Sequence, residues 1–353
     1  MTLNFALVGC GRISYKHAEI LNGQLKNARL AAVCDIDETK AKGTGNKYNV
    51  PFYTDYDKML KQDKIDVVCI LTESGNHARH TIDIVEKYHK HIVVEKPMAL
   101  SLSDADQMIK TCDANSVKLF VIKQNRYNIP VLKVREALEA GRFGKLVMGT
   151  VRVRWSRNQN YYDQDPWRGT WAMDGGVFTN QASHHIDLLE WMLGQPLSVF
   201  AKSATQLVNI ETEDTGLAII KFENGALGLV EATTAVRPKD LEGSLSILGE
   251  KGSVEIGGFA VNEMKTWNFV DKQPDDEQAL LKYKENPQNV YGFGHIRYLE
   301  NVIDSILNNK RALVDGLEGR KSLELINAIY ESIETGKEIY MRFQPRLGKL
   351  GKK

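Results

Sequence analysis

The sequence contains little cysteine. Its 353 residues include only four cysteines, and no two of them form a C-x-x-C pair. Three of the four stand in apolar runs, which is typical of buried thiols in a reducing compartment. The sequence therefore argues against a disulfide framework and against a thiolate zinc site.

Long apolar runs and an excess of either charge are also missing. No run approaches the roughly 18 apolar residues of a membrane helix, and residues 1–9 lack the basic region of a signal peptide. Lysine and arginine total 46 against 45 aspartates and glutamates, a net charge of +1. A nearly neutral chain carries no electrostatic footprint for nucleic acid. We therefore expect a cytoplasmic protein with neither a membrane nor a nucleic-acid partner.

The first third of the chain alternates short apolar strands with helices. The pattern predicts strands at residues 3–8, 30–34, 65–71, 91–94 and 117–122, and helices at residues 12–25, 37–47, 77–88 and 101–115. Apolar strands separated by helices indicate a parallel sheet covered on both faces. Residues 1–124 are therefore predicted to form an α/β domain.

The pattern changes after residue 124. Residues 145–155 alternate in the way of a half-exposed strand, and further strands are predicted at residues 199–204, 215–222, 226–234, 241–248 and 253–256. Turn signals separate these strands, as expected for antiparallel neighbours. Residues 125–353 are therefore predicted to form an α+β domain with a mostly antiparallel sheet.

A glycine loop follows the first predicted strand and opens the first helix. Gly9 and Gly11 allow a tight turn and a close approach of the backbone to a diphosphate. The helix that begins near Arg12 and Ile13 offers N–H groups and the positive end of its dipole. The usual third small position is filled by Ser14. These features together predict a dinucleotide site formed by Gly9, Gly11, Arg12 and Ile13.

An acidic residue ends the second predicted strand. Asp35 lies at the distance from the glycine loop that is typical of the carboxylate binding an adenosine ribose diol. A carboxylate there accepts hydrogen bonds from both hydroxyls and repels a 2′-phosphate, so NAD is predicted over NADP. Asp37 is the competing candidate, although capping of the next helix is its expected role.

Polar loops follow the third and fourth predicted strands. Because the carboxyl ends of parallel strands line the ligand crevice, these loops are expected to bind the cofactor. A Lys96–Pro97 bond can be cis at modest cost, and a fixed turn would direct the Lys96 ammonium to the reacting group. The predicted cofactor contacts in the two loops are Thr72, Asn76, His77, Glu95 and Lys96.

A dense polar segment runs from Asp174 to Asp187. Glycines lead into a helix on which Asn180 and His184 lie four residues apart and share a face, with Asp187 close to His184. A histidine in this position could remove a hydroxyl proton while hydride leaves the same carbon. We therefore predict His184 as the base and His185 as a supporting residue. No further ligands stand at metal-binding spacing, so no metal is predicted.

These motifs, taken together, resemble the glucose–fructose oxidoreductase / inositol dehydrogenase (Gfo/Idh/MocA) family. The glycine loop with Asp35, the loop at residues 72–77, Glu95-Lys96-Pro97 and the Gly175-Gly176 segment with its helix stand in the family's order. The resemblance covers nearly the whole chain. It implies an NAD-binding Rossmann domain, followed by an α+β domain with a large open sheet through which a homodimer or homotetramer forms.

The resemblance also implies catalytic roles. Lys96 would hydrogen-bond the reacting hydroxyl, and His184 would be the general base. Many relatives carry aspartate where this chain has Asn180, and an amide can orient a hydroxyl but cannot take its proton. Gln124 is expected to contact the cofactor.

Within the family, the chain looks most like the sugar-nucleotide 3-dehydrogenases of surface-polysaccharide synthesis. Asn180 and the segment at residues 123–128 motivate this choice. A second basic and aromatic segment, residues 152–168, has the composition of a sugar and phosphate site, since arginine binds anions bidentately and aromatic faces stack on rings. The predicted substrate contacts are Lys123, Arg126, Tyr127, Arg154, Trp167, Arg168, Asn180 and His184. A solvated strand face is an equally weighted alternative for Arg154.

The expected reaction is oxidation of a ring hydroxyl, at C3, of UDP-N-acetylglucosamine or its uronic acid. A second oxidant such as 2-oxoglutarate could regenerate the NAD. Other hypotheses stay open, namely a dehydrogenase of inositol or a free sugar, an NAD-dependent glycosidase, and a non-catalytic NAD sensor. The presence of both Lys96 and His184 argues against the sensor.

Overall fold

The first sheet consists of short apolar strands that pair in parallel. The structure, a computed structural model, describes residues 1–285, 293–341 and 349–350. The strands are β1 Leu3–Val8, β2 Ala28–Cys34, β3 Phe52–Tyr53, β4 Val67–Ile70, β5 His91–Val94 and β6 Leu119–Val121. Their order across the sheet is β3-β2-β1-β4-β5-β6, and each described pair is parallel. All residues of β1 and β4 are buried, as expected for a sheet covered on both faces.

Helices connect these strands, and polar side chains fix where several of them begin. They are α1 Ser14–Leu21, α2 Glu38–Tyr48, α3 Tyr56–Gln62, α4 His77–Tyr88 and α5 Leu102–Ala114. The hydroxyl of Ser101 accepts the Asp104 N–H and caps α5. The two-residue β3 and the seven-residue α3 were not predicted, because neither is long enough to show a period.

The second sheet has eight strands. They are β7 Leu146–Arg154, β8 Pro196–Ala204, β9 Thr215–Phe222, β10 Leu227–Thr233, β11 Glu242–Gly249, β12 Gly252–Gly257, β13 Glu263–Phe269 and β14 Ile339–Tyr340. The order is β13-β12-β11-β7-β10-β9-β8-β14. The pairing is antiparallel except between β7 and β10, which run parallel. The predicted fold class is therefore confirmed, although β13 and β14 were not foreseen.

The remaining helices of the chain are α6 Ile129–Glu139, α7 Gln159–Asp163, α8 Ser183–Leu193, α9 Ala279–Lys282, α10 Gly294–Leu307 and α11 Gly316–Thr335. Of these, α8 packs on β7, β10 and β11 of the second sheet. Helix α8 packs so closely on β7 that a Cβ at Gly149 would lie 2.9 Å from methyl groups of Leu189 and Leu193. A π-helical turn, Val177–Gln181, precedes α8. No helix among the described residues is long and apolar enough to cross a membrane.

The chain divides into two units. Unit 1 comprises residues 1–122 and 295–320, and unit 2 comprises residues 123–294 and 321–353. The sequence placed the boundary at residue 124 and assigned all of 125–353 to the second domain, whereas residues 295–320 belong to unit 1. They do so because the edge strand β6 holds them: the Val121 N–H donates to the Val314 carbonyl, and Arg320 pairs with Asp106.

Candidate active site

The glycine loop of unit 1 is shaped by close backbone packing. Gly9 has a φ of +104°, and a Cβ there would lie 2.6 Å from the Leu71 carbonyl oxygen, so only glycine fits. A Cβ at Gly11 would meet no atom within 4 Å, so space lies open beside the loop. The buried hydroxyl of Ser14 donates to the Gly11 carbonyl at 2.6 Å and closes the turn. The loop therefore has the shape that a diphosphate requires.

The carboxylate of Asp35 is held by the backbone. Its Oδ2 accepts the Cys10 N–H at 2.7 Å, and its Oδ1 accepts the Asp37 N–H at 2.8 Å. The carboxylate is thus fixed beside the glycine loop, with lone pairs remaining for ribose hydroxyls. The Asp37 side chain accepts the N–H groups of Thr39 and Lys40 and caps α2, so the competing candidate has the structural role.

Ile36 is a residue that the sequence analysis missed. Its side chain follows Asp35 directly and is 88% exposed, which is unusual for a large apolar group. An apolar surface beside a ribose-binding carboxylate suits the face of an adenine ring. The signal was available in the sequence, since an isoleucine between two aspartates at the end of a buried strand has no partner in the sheet. The side chain of Arg12, which lies in the glycine loop, is also exposed.

The loops after β4 and β5 are tied together by His77. Its Nδ1 lies 2.7 Å from the Pro97 carbonyl oxygen and its Nε2 lies 3.0 Å from that of Thr72. Burial lowers the pKa of His77, outweighing these two carbonyls. The Thr72 hydroxyl lies 3.1 Å from Nδ1 of His80, and the Asn76 amide donates to Glu73. These predicted cofactor residues therefore fix the shape of the two loops through contacts within the protein.

The loop after β5 presents Lys96, and the Lys96–Pro97 bond is cis. Glu95 lies buried behind it: its Oε2 accepts the Lys96 N–H at 3.0 Å, and its Oε1 lies 3.4 Å from Nε2 of His17. Burial alone would raise the pKa of Glu95, but His17, His295 and Lys96 together lower it to about 2. Glu95 is therefore a fixed negative charge beneath the backbone of Lys96.

His17, Glu95 and His295 form a buried cluster that the sequence did not single out. Their ligand atoms lie within 4.8 Å of one another, which makes them the one metal-compatible group found among residues 1–285, 293–341 and 349–350. Two histidines and a glutamate are a donor set that zinc accepts. Their long separations along the chain explain why spacing gave no signal for them.

In unit 2, His184 projects from the first turn of α8 and is 9% exposed. The amide Nε2 of Gln124 lies 3.0 Å from its Nε2. The Gln124 side chain is therefore the hydrogen-bond partner of this ring nitrogen. His185 is fully buried against Trp155, and burial lowers its pKa to about 4. His185 is thus a neutral packing residue, whereas His184 has a ring nitrogen in contact with a polar side chain.

Asn180 is part of a chain of hydrogen bonds. Its amide nitrogen donates to the buried carboxylate of Asp174, and its Oδ1 accepts from Gln181 at 2.8 Å. The Gln181 amide also donates to the Tyr161 hydroxyl at 3.1 Å, which Arg168 contacts at 2.7 Å. The amide of Asn180 is therefore oriented by the protein, and a negative charge stands one hydrogen bond away at Asp174.

Two residues predicted to bind substrate are buried as counter-ions. Arg126 donates to both carboxylate oxygens of Asp187, at 2.8 and 2.9 Å. Lys123 donates to Ser322 at 2.7 Å and lies 3.7 Å from Asp187. The adjacent Tyr127 is buried as well. Lys123 and Arg126 hold α8 in place through Asp187. The sequence could not reveal this, because Asp187 lies about 60 residues further along the chain.

The other predicted substrate residues fall into two groups. Arg154 pairs with Glu231 and Glu242 on the open face of the second sheet, which supports the alternative of a solvated strand face. Arg168 remains partly exposed, with its guanidinium 4.6 Å from the centre of the Trp167 ring. The surface around Trp167 and Arg168 keeps the composition that a sugar or an anion would require.

Comparisons with known proteins find similarity over most of the chain. Residues 3–123 match a family model described as an oxidoreductase family with an NAD-binding Rossmann fold (GFO_IDH_MocA), and residues 135–341 match the C-terminal alpha/beta domain of that family. The WlbA dehydrogenase of Bordetella pertussis, solved in complex with NADH and UDP-GlcNAcA, is 40% identical, with a TM-score of 0.90 over 97% of this chain and 98% of that one.

Two further relatives also match nearly the whole chain. The WlbA dehydrogenase of Chromobacterium violaceum, also in complex with NADH and UDP-GlcNAcA, is 42% identical with a TM-score of 0.90 over 96% of each chain. A myo-inositol 2-dehydrogenase of Thermotoga maritima is 26% identical over 96% of this chain and 98% of its own length.

We expect replacement of Asp35 by serine to reverse part of the preference for NADH. The change removes two acceptors for the ribose hydroxyls and the charge that repels a 2′-phosphate, so the ratio of NADPH to NADH affinity should rise by about 10- to 100-fold. Equilibrium titrations followed by nicotinamide fluorescence measure both affinities. Asp37→Asn is the matched control, because asparagine caps a helix equally well. An unchanged ratio in Asp35→Ser would contradict the assignment.

Asn180→Asp should destabilise the protein, and more so as the pH rises. Two carboxylates at hydrogen-bond distance cannot both ionise, so a pKa at the pair is raised above its unfolded value. Between those two pKa values the folded state binds more protons, and stability is lost as the pH increases. Thermal unfolding between pH 5 and 9 measures this loss.

The exchange variant Asp174→Asn/Asn180→Asp provides the control for this prediction. It restores one carboxylate and one amide in the same contact, with the donor and acceptor reversed. Unfolding temperatures of the double variant should return towards those of the wild type and lose their added dependence on pH. An equal loss of stability in the single and double variants would show that the contact between residues 174 and 180 is not responsible.

Proposed function

The chain belongs to the Gfo/Idh/MocA oxidoreductase family and has its NAD-binding domain, and from that premise we propose that it oxidises a ring hydroxyl, at C3, of UDP-N-acetylglucosamine or its uronic acid. The observation that carries this proposal is the 40–42% identity to two WlbA dehydrogenases that bind NADH and UDP-GlcNAcA. The similarity extends over at least 96% of each chain, so it includes both units.

Bound NAD would supply the chemistry of hydride acceptance at the nicotinamide ring. The residues of unit 1 fit that cofactor, since the glycine loop leaves open space beside Gly11 and Asp35 is aimed by two backbone N–H groups. Lys96 would donate a hydrogen bond to the reacting oxygen. The buried carboxylate of Glu95 holds the backbone of Lys96 in place for this role.

Unit 2 would supply the base. Nε2 of His184 would remove the hydroxyl proton, once the substrate hydroxyl takes the place of the Gln124 amide as its partner. Asn180 would orient the substrate and leave the proton to His184, because its amide is held by Asp174 and Gln181 and cannot accept a proton.

The anionic part of the substrate would lie against residues 161–168. The Arg168 guanidinium lies between the rings of Tyr161 and Trp167, 4.7 and 4.6 Å from their centres. A guanidinium held in this way suits a diphosphate or a carboxylate, and the exposed parts of the rings suit a sugar or a base. Arg168 also pairs with Asp165, which must share it with the ligand.

A dehydrogenase of inositol or of a free sugar is the second candidate. The observation that favours it is the full-length similarity to the myo-inositol 2-dehydrogenase of Thermotoga maritima. The catalytic roles of Lys96 and His184 would be the same for a polyol. Besides the higher identity to the WlbA dehydrogenases, the surface around Arg168 favours the first candidate, because an uncharged polyol needs no guanidinium.

We also propose that a second copy of the chain covers the open face of the second sheet. Phe200 stands opposite Ile219, and Ile219 stands opposite Leu229 on the next strand. Leu227 is opposite Met148 in the same way. Phe200, Ile219, Leu227 and Met148 are all exposed, so an apolar strip crosses four strands and is open to solvent. A strip of this kind is typical of a subunit interface.

The substrate proposal predicts a specific loss of two hydrogens. Wild-type protein with NAD should convert UDP-N-acetylglucosamine or its uronic acid, detected by mass spectrometry, in the presence of 2-oxoglutarate to remove NADH. Lys96→Ala and His184→Ala should each lower kcat by about 10²- to 10⁴-fold, because each removes a group that acts on the hydroxyl.

The controls for this assay separate its two parts. His185→Gln alters a buried packing residue next to the base and should keep kcat within a few-fold of the wild type. Conversion of myo-inositol or a free sugar, with no change in any nucleotide, would replace the substrate class and leave the catalytic roles intact. Full activity of both Lys96→Ala and His184→Ala would refute those roles.

The interface proposal predicts that Ile219→Glu lowers the mass of the assembly at least two-fold. A charge in the centre of the apolar strip would have to be buried without a partner. Size-exclusion chromatography with light scattering measures the mass. Leu281→Glu is the control, because Leu281 is 86% exposed on α9, which packs on the edge strand β13 outside the strip, and its variant should assemble as the wild type does. A monomeric wild type would rule the interface out.

A further inference from the structure

The hydroxyl of Tyr330 is a buried junction of three hydrogen bonds. Tyr330 lies on α11 with no exposed surface. Its hydroxyl accepts the Gly176 N–H at 3.1 Å and the Thr179 hydroxyl at 2.9 Å, and it donates to Oε1 of Glu213 at 2.9 Å. One side chain of α11 thus holds both the start and the middle of the π-helical turn Val177–Gln181.

Glu213 binds the same turn from another side. Its Oε1 also accepts the Phe178 N–H at 3.1 Å, and its backbone carbonyl accepts the Val177 N–H at 2.9 Å. The first N–H groups of any helical turn lack partners within the turn. Here Tyr330 and Glu213 supply acceptors for those of residues 176–178, so together they cap the turn from distant parts of the sequence.

The glycine at position 176 is required by this arrangement. A Cβ there would lie 2.1 Å from Oε2 of Glu213, so the carboxylate occupies the space of a side chain. That oxygen has no hydrogen-bond partner among the described residues. Burial raises the pKa of Glu213 to about 7, although the hydrogen bonds from the Phe178 N–H and Tyr330 oppose this rise. A buried carboxyl that costs free energy to keep is unlike an ordinary packing residue.

We propose that Tyr330 and Glu213 are positioning residues, which fix the turn that carries Asn180 and leads into His184. The inference rests on the catalytic roles proposed above for these two residues. The connection is short: the Asn180 N–H donates to the Gly176 carbonyl at 2.9 Å, so a shift of Gly176 moves Asn180. The Ala182 N–H donates to the Val177 carbonyl at 2.8 Å and carries the same constraint to the start of α8.

Loss of the Tyr330 hydroxyl should affect the geometry of the turn more than binding of the cofactor. Tyr330→Phe leaves the Gly176 N–H, the Thr179 hydroxyl and Glu213 each short of one partner in a buried place. Displacement of the proposed base and of the orienting amide should lower kcat. Binding of NAD should not change, because the glycine loop is in the other unit. We expect kcat to fall about 10- to 100-fold with the KM for NAD unchanged.

The experiment compares Tyr330→Phe with a matched variant on the same helix. Ser332→Ala also removes a buried hydroxyl of α11 that makes two hydrogen bonds, to Ala201 and Lys337, but none to the turn. Kinetics are measured with whichever hydroxyl substrate the wild type oxidises. Hydrogen–deuterium exchange of peptides covering residues 174–184 is measured in parallel, and it needs no substrate.

The expected result is a lower kcat and faster exchange at residues 174–184 in Tyr330→Phe, with both close to wild type in Ser332→Ala. Glu213→Gln, which keeps an acceptor oxygen, should lose less activity than Glu213→Ala. Wild-type kcat and exchange in Tyr330→Phe would overturn the proposal, and so would equal losses in Ser332→Ala. If the wild type oxidises no substrate, the proposed function fails on that ground alone, and the exchange comparison still decides whether the turn is held by Tyr330.

Discussion

The buried carboxylate of Asp187 is the constraint on which the catalytic half of the structure depends. It lies on α8, three residues after His184, and accepts two hydrogen bonds from the guanidinium of Arg126, with Lys123 3.7 Å away. All three groups are at most 3% exposed. Removing one partner of such a pair leaves a buried charge alone and costs about 3–5 kcal/mol. The segment that begins unit 2 and the helix that carries His184, the proposed base, are therefore held together.

The same cluster shows that the arrangement is not optimised for stability alone. Glu190 stands one turn further along α8, and burial, with the neighbouring Asp187, raises its pKa to about 8. Its Oε2 has no hydrogen-bond partner among the described residues. Since a folded-state pKa above the unfolded value costs stability as the pH rises from the unfolded to the folded pKa, this carboxyl weakens the fold at neutral pH and above.

The sequence predicted the two units unequally well, for a physical reason. The strands β1 and β5, helix α4, the glycine loop and Asp35 follow from local patterns, because a strand, a turn and a helix dipole are properties of neighbouring residues. Lys123 and Arg126 were assigned to the substrate. No local pattern reveals their counter-ion, because it lies in a distant part of the sequence. Tyr330 and Glu213 gave no signal at all. An isolated tyrosine or glutamate looks the same whether it is solvated or caps a turn more than 30 residues away.

These buried contacts narrow the choice of residues that meet the substrate. In unit 2, the buried cationic side chains next to α8 pair with Asp187. The polar groups at the start of the π-helical turn are hydrogen-bonded to Tyr330 and Glu213. The side chains that keep some exposure on this part of the chain include Asn180, Trp167 and Arg168, with His184 just covered. A fixed base, a fixed amide and one arginine stacked on aromatic rings form a preorganised set. Such a set is suited to a rigid, anionic sugar ligand, since orientation has been achieved before the substrate arrives.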